Sequence, residues 1–126
     1  MPFVKLHFRR GRSDEYRRSA ADAVHEALVA KANVPAEDRF QLILEHDAES
    51  MIAHPSYGGV LRSQDLIIVE ITLNIGRSVE VKKALYADIV ARLGEAIAVR
   101  PDDVMITLVE VTKENWSFGG GKATYA

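Results

Sequence analysis

There is no cysteine in these 126 residues. That removes disulfides, thiolate metal sites and a cysteine nucleophile, and it suits a reducing compartment. No apolar run approaches the roughly 20 residues that a membrane-spanning helix needs. The opening "MPFVKLHFRR" is too charged for a secretory signal, so the expectation is a cytoplasmic protein. Neither sign of charge dominates. Sixteen Lys and Arg stand against 18 Asp and Glu, a net of −2, which gives no electrostatic attraction to nucleic acid or to an anionic membrane. The basic cluster "RRGR" at 9–12, with Arg17 and Arg18, is answered by Asp14 and Glu15 and reads as a solvated corner. No serine sits in G-x-S-x-G. Residues 119–122 fail as a phosphate loop because Trp116 stands where the first glycine of G-x-x-x-x-G-K belongs. His7, His25, His46 and His54 show neither an i, i+4 pair nor ligand spacing, so structural or surface roles are expected and no metal.

What is present is one unit written twice. "GRSDEYRRSAADAVHEALVAKANVPAEDRFQLILEH" and "GRSVEVKKALYADIVARLGEAIAVRPDDVMITLVEV" both begin Gly-Arg-Ser, run through a helical pattern, turn at a proline with aspartate behind it, and finish in an apolar strand. Gly11 and Gly76 lie 65 residues apart, about half the chain, so the repeat is a supersecondary unit too long for a solenoid. Ser13 and Ser78 are N-cap candidates, with Asp14, Glu15 and Glu80 placed to favour the positive helix end. Ala20, Val24, Ala27 and Leu28 form one apolar stripe; Val81, Leu85, Ile89, Leu93 and Ile97 form the other. Pro35 and Pro101 are expected to stop the helices.

A strand over 3–8 or 66–75, a helical crossover, and a strand over 40–45 or 104–111 make each copy a βαβ unit, in which a long crossover joins parallel strands. The expected fold is α/β, in two layers: duplicated βαβ units in one four-stranded sheet with two helices on one face. A single domain spans 1–126, with the repeat at about 2–47 and 66–112 and a glycine and aromatic tail at 115–126. The stretch "HDAESMIAHPSYGGVLRSQD" between the copies reads as a connecting excursion with room for a short strand. "DLIIVEITL" and "VMITLVEV" are apolar at nearly every position, as in sheets covered on both faces. Two helices cover one face, so copies of the chain are expected to cover the other.

Four places carry candidate chemistry. Pro2 stands at the start of a strand, where a residue without an N–H is tolerated. If Met1 is trimmed, as is usual before a small residue, Pro2 presents a secondary amine, and N-terminal amines titrate near neutrality, at about 7.7–8.0. Asp38 opens the second strand, with Asp103 as its repeat counterpart; it is either a turn residue at the Pro35 corner or a carboxylate beside the amine. Arg77 stands at a strand end and helix start, where anions bind well, whereas Arg12, its repeat partner, is read as a corner residue. Trp116 and Phe118 offer an apolar wall, or packing against a neighbouring subunit.

The order "PFVKLHF", "GRSDE", "VPAEDRFQ", "GRSVE", "PDDVMITLVE", "NWSFGGGKA" resembles the tautomerase superfamily over almost the whole chain, and within it the malonate semialdehyde decarboxylase branch. The resemblance implies duplicated βαβ subunits assembled as a homotrimer and catalysis by an amino-terminal proline without cofactor or metal. It implies Pro2 as catalytic base or acid and Asp38 as the carboxylate that assists it. Arg77 becomes the holder of the substrate carboxylate, and Trp116 and Phe118 the hydrophobic wall. The decarboxylase ends its third strand in Arg-x-Arg; here the stretch is Asn74-Ile75-Gly76-Arg77, with Ile75 in place of the first arginine. With the clamp halved, the expected reaction is keto–enol tautomerisation of a small keto or enol carboxylic acid. Decarboxylation of the malonate semialdehyde type, or hydration of an unsaturated acid, is the alternative. A non-catalytic trimeric binding or scaffold protein is the alternative of another class.

Overall fold

The computed structural model describes residues 2–124. Two helices lie on one face of a four-stranded sheet, and each repeat supplies a strand, a helix and a strand. The first contributes β1 (Phe3–Arg9), α1 (Asp14–Lys31) and β2 (Gln41–His46); the second contributes β3 (Ile67–Asn74), α2 (Val79–Ile97) and β4 (Val104–Val111). Sheet order is β2-β1-β3-β4, with β1 parallel to β2, β3 parallel to β4, and β1 antiparallel to β3. The join between the copies is thus the sheet's antiparallel centre, in register Phe3↔Thr72 through His7↔Ile68.

The duplication extends to the backbone. Ser13 and Ser78 each accept an N–H from the third residue on, Tyr16 and Val81. Gly11 and Gly76 take φ of 120° and 127°, and Asn33 and Ala98 take 57° and 56°. That second pair corrects the expected helix stops. α1 ends at Lys31, with Ala32 as its cap and Asn33 next, and α2 ends at Ile97, with left-handed Ala98 as its cap. Both end before Pro35 and Pro101 are reached, and Pro101 opens a separate 3-10 turn over Pro101–Asp103. The segment between the copies forms 3-10 turns at Ala48–Ser50 and Tyr57–Gly59, with no strand among its residues. Asp103, fully buried, fastens its end by accepting the Ser63 N–H and hydroxyl, both at 2.6 Å.

The core lies between helices and sheet. Val4, Leu6 and Phe8 of β1 and Ile67, Val69, Ile71 and Leu73 of β3 face Ala20, Val24, Ala27 and Leu28 of α1 and Leu85, Ile89 and Leu93 of α2. The expected α1 stripe and most of the α2 stripe are therefore its lining; Ile97 packs against its edge and Val81 is half-buried outside it. The opposite sheet face is mixed. It carries Leu42, Met105 and Val109, each 48% exposed, around a polar row in which His7 bridges His46 at 2.7 Å and Glu70 at 2.5 Å. Among the described residues no helix is long and apolar enough to cross a membrane.

Candidate active site

The strand directions gather the candidate residues. β1 and β2 begin at the sheet end where β3 and β4 finish: Phe3 pairs with Thr72 and Asn74 with Val111. The Val4 N–H donates to the Phe40 carbonyl at 3.0 Å and the Ile75 N–H to that of Val111 at 2.9 Å, extending the pairing past the strands. Pro2, the Asp38–Phe40 lead-in to β2, the Asn74–Arg77 corner and the chain beyond Val111 therefore meet at one end.

A cavity of about 250 Å³ opens there, lined by Pro2, Phe3, Phe40, Trp116, Ser117 and Phe118. Pro2 is buried. The Trp116 and Phe118 rings stack at 6.0 Å between centroids and 24° between planes. A 3-10 turn at Lys113–Asn115 delivers Trp116, whose indole N–H donates to Asn74 Oδ1 at 2.7 Å. Beyond Phe118 the tail turns through Gly119, Gly120 and Gly121, all at positive φ (149°, 66° and 70°), a run that side chains would strain. Four rings and a proline make the wall apolar, with Ser117 as the hydroxyl among the lining residues. The volume lies below the roughly 300–1,000 Å³ common for drug-sized ligands. The cavity suits a small molecule with an apolar body.

Asp38 stands two residues before the lining residue Phe40 and does not itself line the cavity. Its N–H donates to the Pro35 carbonyl at 3.0 Å, and one of its carboxylate oxygens is buried. The segment around it is fastened to α1. Arg39 donates to Asp22 at 2.6 Å and to Gln41 at 2.8 Å, Gln41 donates to the Ala21 carbonyl at 2.8 Å, and His25 Nε2 lies 2.7 Å from the Ala36 carbonyl. The Arg39 hydrogen bond, reinforced by Arg18, holds the Asp22 carboxyl below its usual range against the opposing effect of desolvation. The repeat makes Asp38 and Asp103 equivalents, yet Asp103 serves the connecting loop and Asp38 stands in the lead-in to the cavity residue Phe40.

Arg77 is placed differently from a free anion holder. Its Nε and Nη2 donate to the Ala32 carbonyl at 3.0 and 2.8 Å, and its Nη1 donates to the Asn74 carbonyl at 3.2 Å. It ties the end of α1 to the end of β3 and is not among the residues lining the cavity. Arg12 is more than a solvated corner: it pairs with Asp65 and lies 4.8 Å over the Tyr16 ring. The structure thus brings Pro2, Trp116 and Phe118 into one cavity and links Arg77 to it through Asn74. Phe3, Phe40, Ser117 and Asn74 escaped the sequence reading. Phe40 was visible in "DRFQ"; Asn74 was visible as the amide ending an otherwise apolar strand.

Comparison with known proteins bears on the family and the fold. A family model described as tautomerase enzyme matches residues 38–119, and a second of the same description matches residues 2–60. The chain is 38% identical over 123 residues to "Probable tautomerase YusQ" of Bacillus subtilis (strain 168), covering 98% of this chain and 97% of that protein. The solved structure of FG41 malonate semialdehyde decarboxylase inhibited by 3-bromopropiolate is similar at a TM-score of 0.91 and 38% identity, covering 98% of this chain and 93% of that one. A fused 4-OT solved as a symmetric trimer shares the fold at a TM-score of 0.79 and 20% identity, over 98% of this chain and 97% of that one. The chain belongs to the tautomerase superfamily, in its malonate semialdehyde decarboxylase-like branch.

Proposed function

We propose that this chain is a cofactor-independent enzyme that moves a proton between carbon and oxygen of a small keto or enol carboxylic acid, using the nitrogen of Pro2. The observation that carries the reading is the burial of Pro2 against a cavity walled by Phe40, Trp116 and Phe118. Removal of Met1 converts the Pro2 nitrogen from an amide into a secondary amine. An amine among apolar rings is desolvated, which favours its neutral, basic form. The neutral nitrogen takes a proton from the carbon next to the substrate carbonyl, the electron pair moves to the carbonyl oxygen, and the same proton is returned to that oxygen. The reverse sequence converts enol to ketone. Arg77 does not line the cavity, but two of its N–H groups lie outside its three bonds to backbone carbonyls. The proposal gives them a substrate carboxylate that projects from the cavity toward the Asn74–Arg77 corner.

Decarboxylation is the second reading, supported by the 38% identity to a malonate semialdehyde decarboxylase. There Asp38 favours the protonated amine, which polarises a β-carbonyl while carbon dioxide leaves. The mixed sheet face opposite the helices is proposed to be covered by two further copies in a homotrimer. The test is ketonisation of the phenylpyruvate enol, whose carboxylate suits Arg77 and whose ring suits the aromatic wall, run beside carbon dioxide release from malonate semialdehyde. Pro2→Ala keeps a primary amine and loses the ring, so the rate should fall without vanishing. Full rate with the Pro2 amine blocked contradicts both chemistries, and carbon dioxide release without ketonisation selects the second.

A further inference from the structure

We propose that Asn74 is the positioning residue of this site, holding the Trp116 ring in the wall of the Pro2 cavity. Three observations meet at this residue. Its carboxamide oxygen accepts the Trp116 indole N–H at 2.7 Å. Its backbone carbonyl accepts from Arg77 Nη1 at 3.2 Å, while the same guanidinium grips the Ala32 carbonyl. Its backbone is paired with Val111 at the last rung of the β3–β4 ladder, so the residue that aims the ring is itself fixed by the sheet. Trp116 by contrast lies beyond β4 and just before three glycines at positive φ, in chain that no ladder holds. The indole N–H is a donor only, and a half-buried ring is oriented by whichever acceptor it finds. Here that acceptor is Asn74.

The consequence is a division of labour within one corner. Arg77 reaches the backbone of Asn74 and Trp116 reaches its side chain, so replacing the side chain releases the ring and leaves the arginine contact in place. Trp116 in turn stacks on Phe118, so freeing it loosens two of the four rings that enclose a substrate's apolar body. The effect on substrate rests on the reading of the cavity as a keto-acid site; the effect on the ring rests on the hydrogen bond alone. For an aromatic keto acid, KM should therefore depend on Asn74 while kcat does not.

Trp116 is the chain's single tryptophan, so its fluorescence reports the wall without any turnover. In Asn74→Ala, loss of one hydrogen bond should raise the ratio of released to held ring about three- to tenfold, read as increased acrylamide quenching. Asn74→Asp keeps an acceptor oxygen and should restore wild-type quenching. KM for phenylpyruvate should rise by the same factor in Asn74→Ala with kcat unchanged, and in a Trp116→Phe background the substitution should add nothing. Should Asn74→Ala fail to fold, Asn74→Leu, which fills the volume without an acceptor, replaces it. Quenching equal in Asn74→Ala and wild type overturns the proposal, as do unrestored quenching in Asn74→Asp and additive KM effects in the double variant. Wild-type protein that turns over no keto acid but shows the quenching pattern removes the substrate reading and keeps the positioning role.

Discussion

Arg77→Ala separates two readings of the same side chain. As an anion holder only, Arg77 could be removed with a loss of substrate affinity and little change in folding. The geometry says otherwise, because three of its N–H groups already bond the carbonyls of Ala32 and Asn74. Ala32 is 2% exposed, so water replaces the lost donors poorly there. A hydrogen bond to a charged donor contributes about 1.5–3 kcal/mol, and a buried acceptor left bare costs about 1–3 kcal/mol. Two of the three bonds share one carbonyl and overlap, which sets the expected loss at about 2–4 kcal/mol. For a domain of this size that lowers Tm by roughly 10 °C. Arg12→Ala is the internal control, since its exposed ion pair with Asp65 and its stacking over Tyr16 sum to about 1 kcal/mol. The assay is urea unfolding followed by circular dichroism, with all variants at one protein concentration because association of a chain makes its apparent stability concentration-dependent. If Arg77→Ala falls within about 0.5 kcal/mol of Arg12→Ala, the structural load assigned to Arg77 is wrong.

Asp22→Asn should cost up to about 1 kcal/mol near neutral pH, the range for an exposed ion pair. Because the folded carboxyl titrates below its ordinary 3.8, this stability is present above that value and disappears as pH falls through the lower folded one. An equal cost in strong acid, measured by the same unfolding curves, contradicts the assignment to Arg39. Ala98→Gly removes a left-handed alanine at φ 56°, a conformation costing about 1–2 kcal/mol in an L-residue, against about 0.4–1 kcal/mol for the greater freedom of unfolded glycine. Tm should rise by a few degrees, and a fall would refute the strain. Light scattering should return three times the 14.0 kDa chain mass at micromolar concentration; a stable monomer ends the trimer proposal.

The fold was largely legible because it is written twice. The 65-residue repeat predicts both βαβ units, the serine caps are where the sequence places them, and β4 runs over Val104–Val111 as expected. The helix ends were less legible. Asn33 carries a recognisable signal for a left-handed cap, but nothing marks Ala98, and the prolines drew the expected stops too late. The cavity was half legible. Pro2, Trp116 and Phe118 stand out as residue types, whereas Asn74, outside the lining, reaches Trp116 only because β3 and β4 end together. Arg77 shows the limit most plainly: its type and place at a strand end suggest an anion site, but its main partner, the Ala32 carbonyl, lies 45 residues away and becomes visible only once α1 is packed. The His46–His7–Glu70 row joins three strands and has no signature along the chain.

The central claim is that the nitrogen of Pro2 does the chemistry, and blocking that nitrogen tests it most directly. Intact mass first establishes whether the purified chain begins at Pro2. A preparation with a free Pro2 amine is then compared with one in which the amine is acylated or Met1 is retained, both checked for unchanged circular dichroism and assembly. The free form should ketonise the phenylpyruvate enol, with a pH–rate inflection that moves when Asp38 becomes Asn, since a carboxylate favours the cation. The blocked form should be inactive. Full activity with the amine blocked would contradict the account and leave Pro2 as the residue before an ordinary strand.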